Sequence, residues 1–146
     1  MQDNTKNFGA YLDRTLKAIR HHYLRAFKEH QLDITTEQWV LLNQLHQKDG
    51  LSQNELANGS FKNAPTVSRI IDLLCKKGLT QRQQSEQDRR TQLVYLTPEG
   101  HHLCQLAYPI VQDLRRQGWE NLSDEDYHDL LRILNQVFNN FSEASS

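Results

Sequence analysis

The sequence predicts a mostly helical chain with one small β-hairpin, and three observations predict it. Only 6 glycines and 3 prolines interrupt 146 residues, which favours long helices over many short strands. Apolar residues recur at spacings of three and four along most of the chain, the period of a helix with one buried face. A strand pattern is confined to the stretch between Leu79 and Leu96. The length suits one domain with its own core and is short for two.

Phe8, Leu12, Leu16, Ile19, Tyr23 and Phe27 form the stripe of a first helix of five or more turns. A second helix starts near Thr36. Thr35 and Gln38 have the spacing of a capping box, and Ile34 can staple onto Trp39. It carries Trp39, Leu42 and Leu45 inward and stops around Lys48, Asp49 and Gly50. Ser52, Glu55, Leu51 and Leu56 repeat the same device and open a short third helix. After Gly59 the chain turns into Pro65, whose fixed φ suits the first turn of a fourth helix. Val67, Ile70, Ile71 and Leu74 are its buried stripe, and Lys76, Lys77 and Gly78 end it.

Leu79 to Gln84 and Gln92 to Leu96 read as two strands joined by the polar turn Ser85 to Arg90. No Asn-Gly or Asp-Gly tightens that turn, so a longer, mobile tip is expected. Thr97 and Pro98 open a fifth helix with Leu103, Leu106, Ile110 and Leu114 as its stripe, and Pro109 should bend it. Leu122, Ser123, Asp126 and Tyr127 announce the last helix, striped by Leu130, Leu134, Val137, Phe138 and Phe141.

Charge is divided along the chain although the net value is only -1. Between Phe61 and Gln92, seven Lys or Arg face three acids, a balance of +4, whereas Trp119 to Ser146 holds six acids and one Arg, a balance of -5. One part is thus suited to a polyanion and the other is not. No apolar run exceeds four residues, as in Trp39 to Leu42, against the roughly 18 of a membrane span. No membrane partner is therefore expected. The polar Met1 to Asn7 lacks the apolar core of a secretory signal, and Cys75 and Cys104 form no paired framework, so a reducing cytoplasm is the expected location.

Three helices followed by a hairpin, in the order α-α-α-β-β, are the layout of a winged helix-turn-helix. Such a unit sends the start of one helix into the major groove of a duplex and a basic hairpin tip into a neighbouring groove. Thr66, Ser68 and Arg69 fall off the buried stripe of the fourth helix, preceded by Lys62 and Asn63, and Asp88, Arg89 and Arg90 form the wing tip.

Glu55-Leu56-Ala57, the run Thr66 to Leu79, Asp88-Arg89-Arg90, and Leu96-Thr97-Pro98-Glu99-Gly100 together resemble the multiple-antibiotic-resistance regulator (MarR) family of bacterial transcription factors. One departure is the turn after the third helix, where Ser60 and Phe61 replace an apolar residue and glycine. The resemblance implies a winged unit over about residues 34–97. Residues 6–31 and 98–142 would form the helical part of a homodimer. It implies a repressor that binds a pseudo-palindromic operator in double-stranded DNA, with Arg90 entering the minor groove and Asp88 orienting it through a charge-assisted pair. It further implies a small aromatic or phenolic effector in a crevice that Tyr11, His22 and Trp39 could line.

The residues do not suggest an enzyme, a cofactor or a metal. There is no GxSxG elbow, P-loop, HExxH pair or glycine-rich dinucleotide turn. Cys75 beside Lys76 and Lys77 reads as an inert helical cysteine, and His101 with Cys104 is the one ligand-like spacing. The rival reading is a winged-helix module that binds another protein and no DNA.

Overall fold

In the computed structural model, residues 6–144 are described, and the chain divides into two compact units, Met1–Leu114 and Arg115–Ser146. The first unit contains α1 (Phe8–Glu29), α2 (Thr36–Gln47), β1 (Leu51–Ser52), α3 (Gln53–Ser60), α4 (Ala64–Lys76), β2 (Thr80–Gln84), β3 (Gln92–Leu96) and most of α5 (Pro98–Gly118). α6 (Asp124–Ala144) belongs to the second. This is the mostly helical architecture with a small antiparallel sheet that the sequence predicts.

The helix boundaries lie where capping chemistry puts them. Thr35 and Gln38 exchange hydrogen bonds of 3.1 Å at the start of α2, and Ser52 and Glu55 do the same at the start of α3. Each box satisfies two of the N–H groups that a helix start leaves without partners. At the end of α4, Gly78 takes a φ of +76°, and Leu79 N–H reaches back to the Leu74 carbonyl at 3.0 Å. A residue with a Cβ would resist that conformation.

One strand goes beyond the expected hairpin. Leu51 and Ser52 pair antiparallel with Val94 and Leu93, giving a three-stranded sheet in the order β1-β3-β2. These residues also serve as staple and N-cap of α3, and a two-residue strand leaves no period to detect. The sheet therefore ties the start of α3 to the wing.

The core of the first unit gathers Phe27 from α1, Leu41, Leu42 and Leu45 from α2, Leu56 from α3, Val67, Ile70, Ile71 and Leu74 from α4, and Val94 from β3. α5 corrects the expected stripe. Its buried face is Gly100, Cys104, Ala107 and Val111, while Leu103 and Ile110 are partly buried and Leu106 is exposed. Small residues let α5 approach closely; a Cβ on Gly100 would strike the carbonyl oxygen of Leu79. Bulk was thus the wrong guide to the packing face. α5 runs unbroken across Pro109.

Two helices present apolar stripes to solvent. On α1, Phe8, Leu12, Leu16 and Ile19 are each more than 40% exposed, and the stripe becomes buried only at Phe27. Within the second unit, Ser123 and Asp126 form a capping box at 2.9 and 3.0 Å, and Trp119 packs edge-on against Tyr127 at 5.6 Å. The α6 stripe, including Tyr127, Leu130 and Phe138, is exposed. No helix among the described residues is long and apolar enough to cross a membrane.

Candidate nucleic-acid interface

The approach to α4 is short and polar. Lys62 and Asn63 lie in the turn before the helix and not within it, a shift from the expected recognition-helix set. Asn63 is the N-cap, its Oδ1 accepting from Thr66 N–H at 2.9 Å, so half of its amide is committed to the cap. Thr66 and Ser68 are half-buried, and Arg69 is exposed with a 3.6 Å ion pair to Glu37 of α2. Phe61 occupies the left-handed conformation at φ +59° with its side chain 98% exposed. This is the turn position where the sequence departs from the family pattern.

The wing is fastened to the helices at its base. Arg82 of β2 pairs with Asp72 of α4 at 2.8 Å, and donates to the Ser68 carbonyl at 3.4 Å and to Gln53 Oε1 of α3 at 3.1 and 3.2 Å. One guanidinium therefore joins both helices of the helix-turn-helix to the hairpin. Its planar fork suits several acceptors at once.

The tip is laced by short side chains. Ser85 Oγ accepts from the N–H groups of Gln87 and Asp88 at 3.2 and 3.3 Å, and Gln84 Nε2 donates to the Arg89 carbonyl at 2.6 Å. Asp88 accepts from the Arg90 main-chain N–H at 3.0 Å and from the Thr91 hydroxyl at 3.3 Å. The expected Asp88 to Arg90 ion pair is not formed: the carboxylate holds Arg90 by its backbone and leaves the guanidinium out of the pair. Arg89 and Arg90 are exposed, and neither has an ion-pair partner among the described residues. Between the tip and the start of α3 lies a cleft of about 410 Å³ lined by Ser52, Gln53, Asn54 and Arg89 to Gln92.

The expected crevice residues are not brought together by one chain. Trp39 is 3% exposed and packs at 6.4 Å from Phe27 as part of the core. Tyr11 is 61% exposed beneath Arg14, and His22 is exposed a further eleven positions along α1, about 16 Å at the helical rise. Cys104 is buried, and its thiol is pushed up to about 12, chiefly by burial and then by the Asp49 charge. His101 instead faces Asp49 at 3.4 Å. No group of three metal-ligating side chains occurs among the described residues.

Gln53 and Arg82 belong to the candidate site, and sequence reasoning missed both. Gln53 was only the position after a cap, and Arg82 one cation of seven. Nothing in a single sequence pairs side chains 29 positions apart.

Residues 34–91 match the MarR family model. The structure of S. aureus MepR in a DNA complex is similar at 28% identity over 90% of this chain and 96% of that one, with a TM-score of 0.76. A mutant E. coli MarR complexed with operator DNA is similar at 26% identity, over 91% and 97%, with a TM-score of 0.70. B. bronchiseptica BpsR, whose DNA binding is described as regulated by 6-hydroxynicotinic acid, shares the fold at 20% identity over 94% and 96%, with a TM-score of 0.80. Residues 34–91 thus match the MarR family model, and the chain around them has a fold similar to that of MarR-family transcriptional regulators.

Proposed function

We propose that the chain is a transcriptional regulator that binds double-stranded DNA as a homodimer and represses by occupying a pseudo-palindromic operator. The observation that carries this reading is the pair of free arginines, Arg89 and Arg90, on a tip fastened through Arg82 to the helix that presents Thr66, Ser68 and Arg69. Unneutralised cations on a hydrogen-bonded hairpin tip are what a phosphate backbone and a narrow groove attract. The DNA complexes of the S. aureus and E. coli relatives support the same reading.

The exposed stripes of α1 and α6 support the dimer, because apolar faces of this length are normally covered. Two-fold symmetry then sets two reading heads about one helical turn, 10 to 10.5 base pairs, apart. An effector has less behind it, since Trp39 is taken up by the core and Tyr11 and His22 lie apart.

Selection of duplexes from a random-sequence pool by the purified protein tests the reading. The expected result is a two-fold sequence whose affinity falls steeply between about 50 and 200 mM salt through counterion release. Failure to retain any duplex at the lower salt would favour a winged-helix module that binds protein.

A further inference from the structure

The cleft between α3 and the wing has one wall that is chemically oriented. Arg82 donates to Gln53 Oε1 from both Nε and Nη2, at 3.2 and 3.1 Å. Arg82 is in turn held by Asp72 at 2.8 Å and by the Ser68 carbonyl. A side-chain amide carries an acceptor at one corner and two N–H donors at the other, and hydrogen bonding decides which way it points. With the oxygen fastened to Arg82, the NH2 group is the end that remains for the cleft. No hydrogen bond described among residues 6–144 takes it up.

Arg89 to Gln92 also line the cleft, so it brings together the Gln53 amide and two exposed arginines that have no ion-pair partner among the described residues. Asn54 lies on the Gln53 side. The nearby acid, Glu55, is turned onto the Ser52 main-chain N–H at 3.1 Å, and that bond and the Ser52 hydroxyl hold its carboxyl below the usual range. An open polar cleft lined by several donor side chains suits an anion with several oxygens.

We propose that Gln53, oriented by Arg82, donates its amide N–H to a DNA backbone phosphate seated between α3 and the wing. Arg82 is then a positioning residue, and Gln53 fixes the register of the duplex against the wing. The inference rests on the DNA-binding reading above and names a contact that reading does not require.

Gln53→Glu tests it. The carboxylate keeps, and strengthens, the acceptor for Arg82 while removing the donor and setting a negative charge toward the phosphate. Denaturant stability should be unchanged or higher, and affinity for the selected duplex should fall by about tenfold or more. Replacing phosphates one at a time with neutral methylphosphonates should weaken wild-type binding at one position per half-site. That position should lose its effect in Gln53→Glu.

Equal affinity of the variant and the wild type overturns the proposal and leaves DNA binding intact. So does a Gln53→Glu loss that is the same on every methylphosphonate duplex, which would be a general charge effect. Inorganic phosphate alone should not raise the Tm of the DNA-free protein; a rise would make this a free-anion site and contradict the proposal. A wild type that retains no duplex at low salt overturns the DNA-binding reading, and the inference with it.

Discussion

Asp88 Oδ1 accepts the main-chain N–H of Arg90 at 3.0 Å, and this contact shapes the wing tip. The carboxylate also accepts from the Thr91 hydroxyl, and the Asp88 main-chain N–H donates to Ser85 Oγ, while the Arg90 guanidinium stays out of any pair with the carboxylate. An arginine held by its backbone keeps its charge for a partner. A guanidinium already paired on the surface would have to exchange one acceptor for another.

Arg90→Ala should therefore weaken binding to the selected duplex by about 1 to 3 kcal/mol without changing the mass of the free protein in solution. Titration of labelled duplex and sedimentation of the free protein measure the two quantities. Unchanged affinity would remove Arg90 from the interface.

Gly100→Ala should destabilise the fold by about 1 to 3 kcal/mol through overpacking. A Cβ at that position strikes the Leu79 carbonyl oxygen, which belongs to the backbone and cannot rotate away. That carbonyl also accepts the Thr97 N–H at 3.1 Å, so displacing it disturbs the junction between β3 and α5. The midpoint of denaturant unfolding reads the cost. A variant as stable as the wild type would show that α5 lies farther from the sheet.

Phe61→Gly should act in the opposite direction. Phe61 sits at φ +59° with its ring in solvent, and a left-handed conformation costs an L-residue roughly 1 to 2 kcal/mol. Glycine relieves that strain but gives the unfolded chain more freedom. A net gain of up to about 1 kcal/mol is expected from the two effects. Thermal unfolding measures it, and a fall in Tm would mean that the ring makes a contact absent from this conformation.

Cys104 should resist alkylation in the folded protein near pH 8, at which a free thiol reacts. Burial raises its thiol from 9.0 to about 12. Because the folded state keeps the proton longer than the unfolded state, this group's contribution to stability is complete below the unfolded value and declines as pH rises from about 9 toward 12. Iodoacetamide labelling followed by peptide mapping checks it. Labelling of Cys104 as fast in the native state as in urea would contradict the burial.

Much of the fold was legible because it is written in local chemistry. Thr35 with Gln38 and Ser52 with Glu55 announce two helix starts within four residues each, and both boxes form. The stripe of Val67, Ile70, Ile71 and Leu74 is buried as its period requires. Features that depend on distant partners were not legible. The two-residue β1 exists only because β3 lies beside it, and the packing face of α5 is chosen by the close approach of Gly100 to Leu79.

The candidate site divides along the same line. Arg89 and Arg90 stand out in sequence as an exposed basic pair, and they are exposed. Asn63 was legible as polar but not as the cap of α4, and the Arg82 to Gln53 bond joins separate elements without a sequence signal. Trp39 followed an apolar stripe into the core, whereas Tyr11 is exposed on α1.

Hydroxyl-radical footprinting of the selected duplex, with wild type and with Arg90→Ala, tests the two-headed reading most directly. Two protected half-sites about one helical turn apart are expected, each flanked by a minor-groove protection that disappears in the variant while the central contacts persist. A single protected patch, or flanking protection that survives in Arg90→Ala, would contradict it.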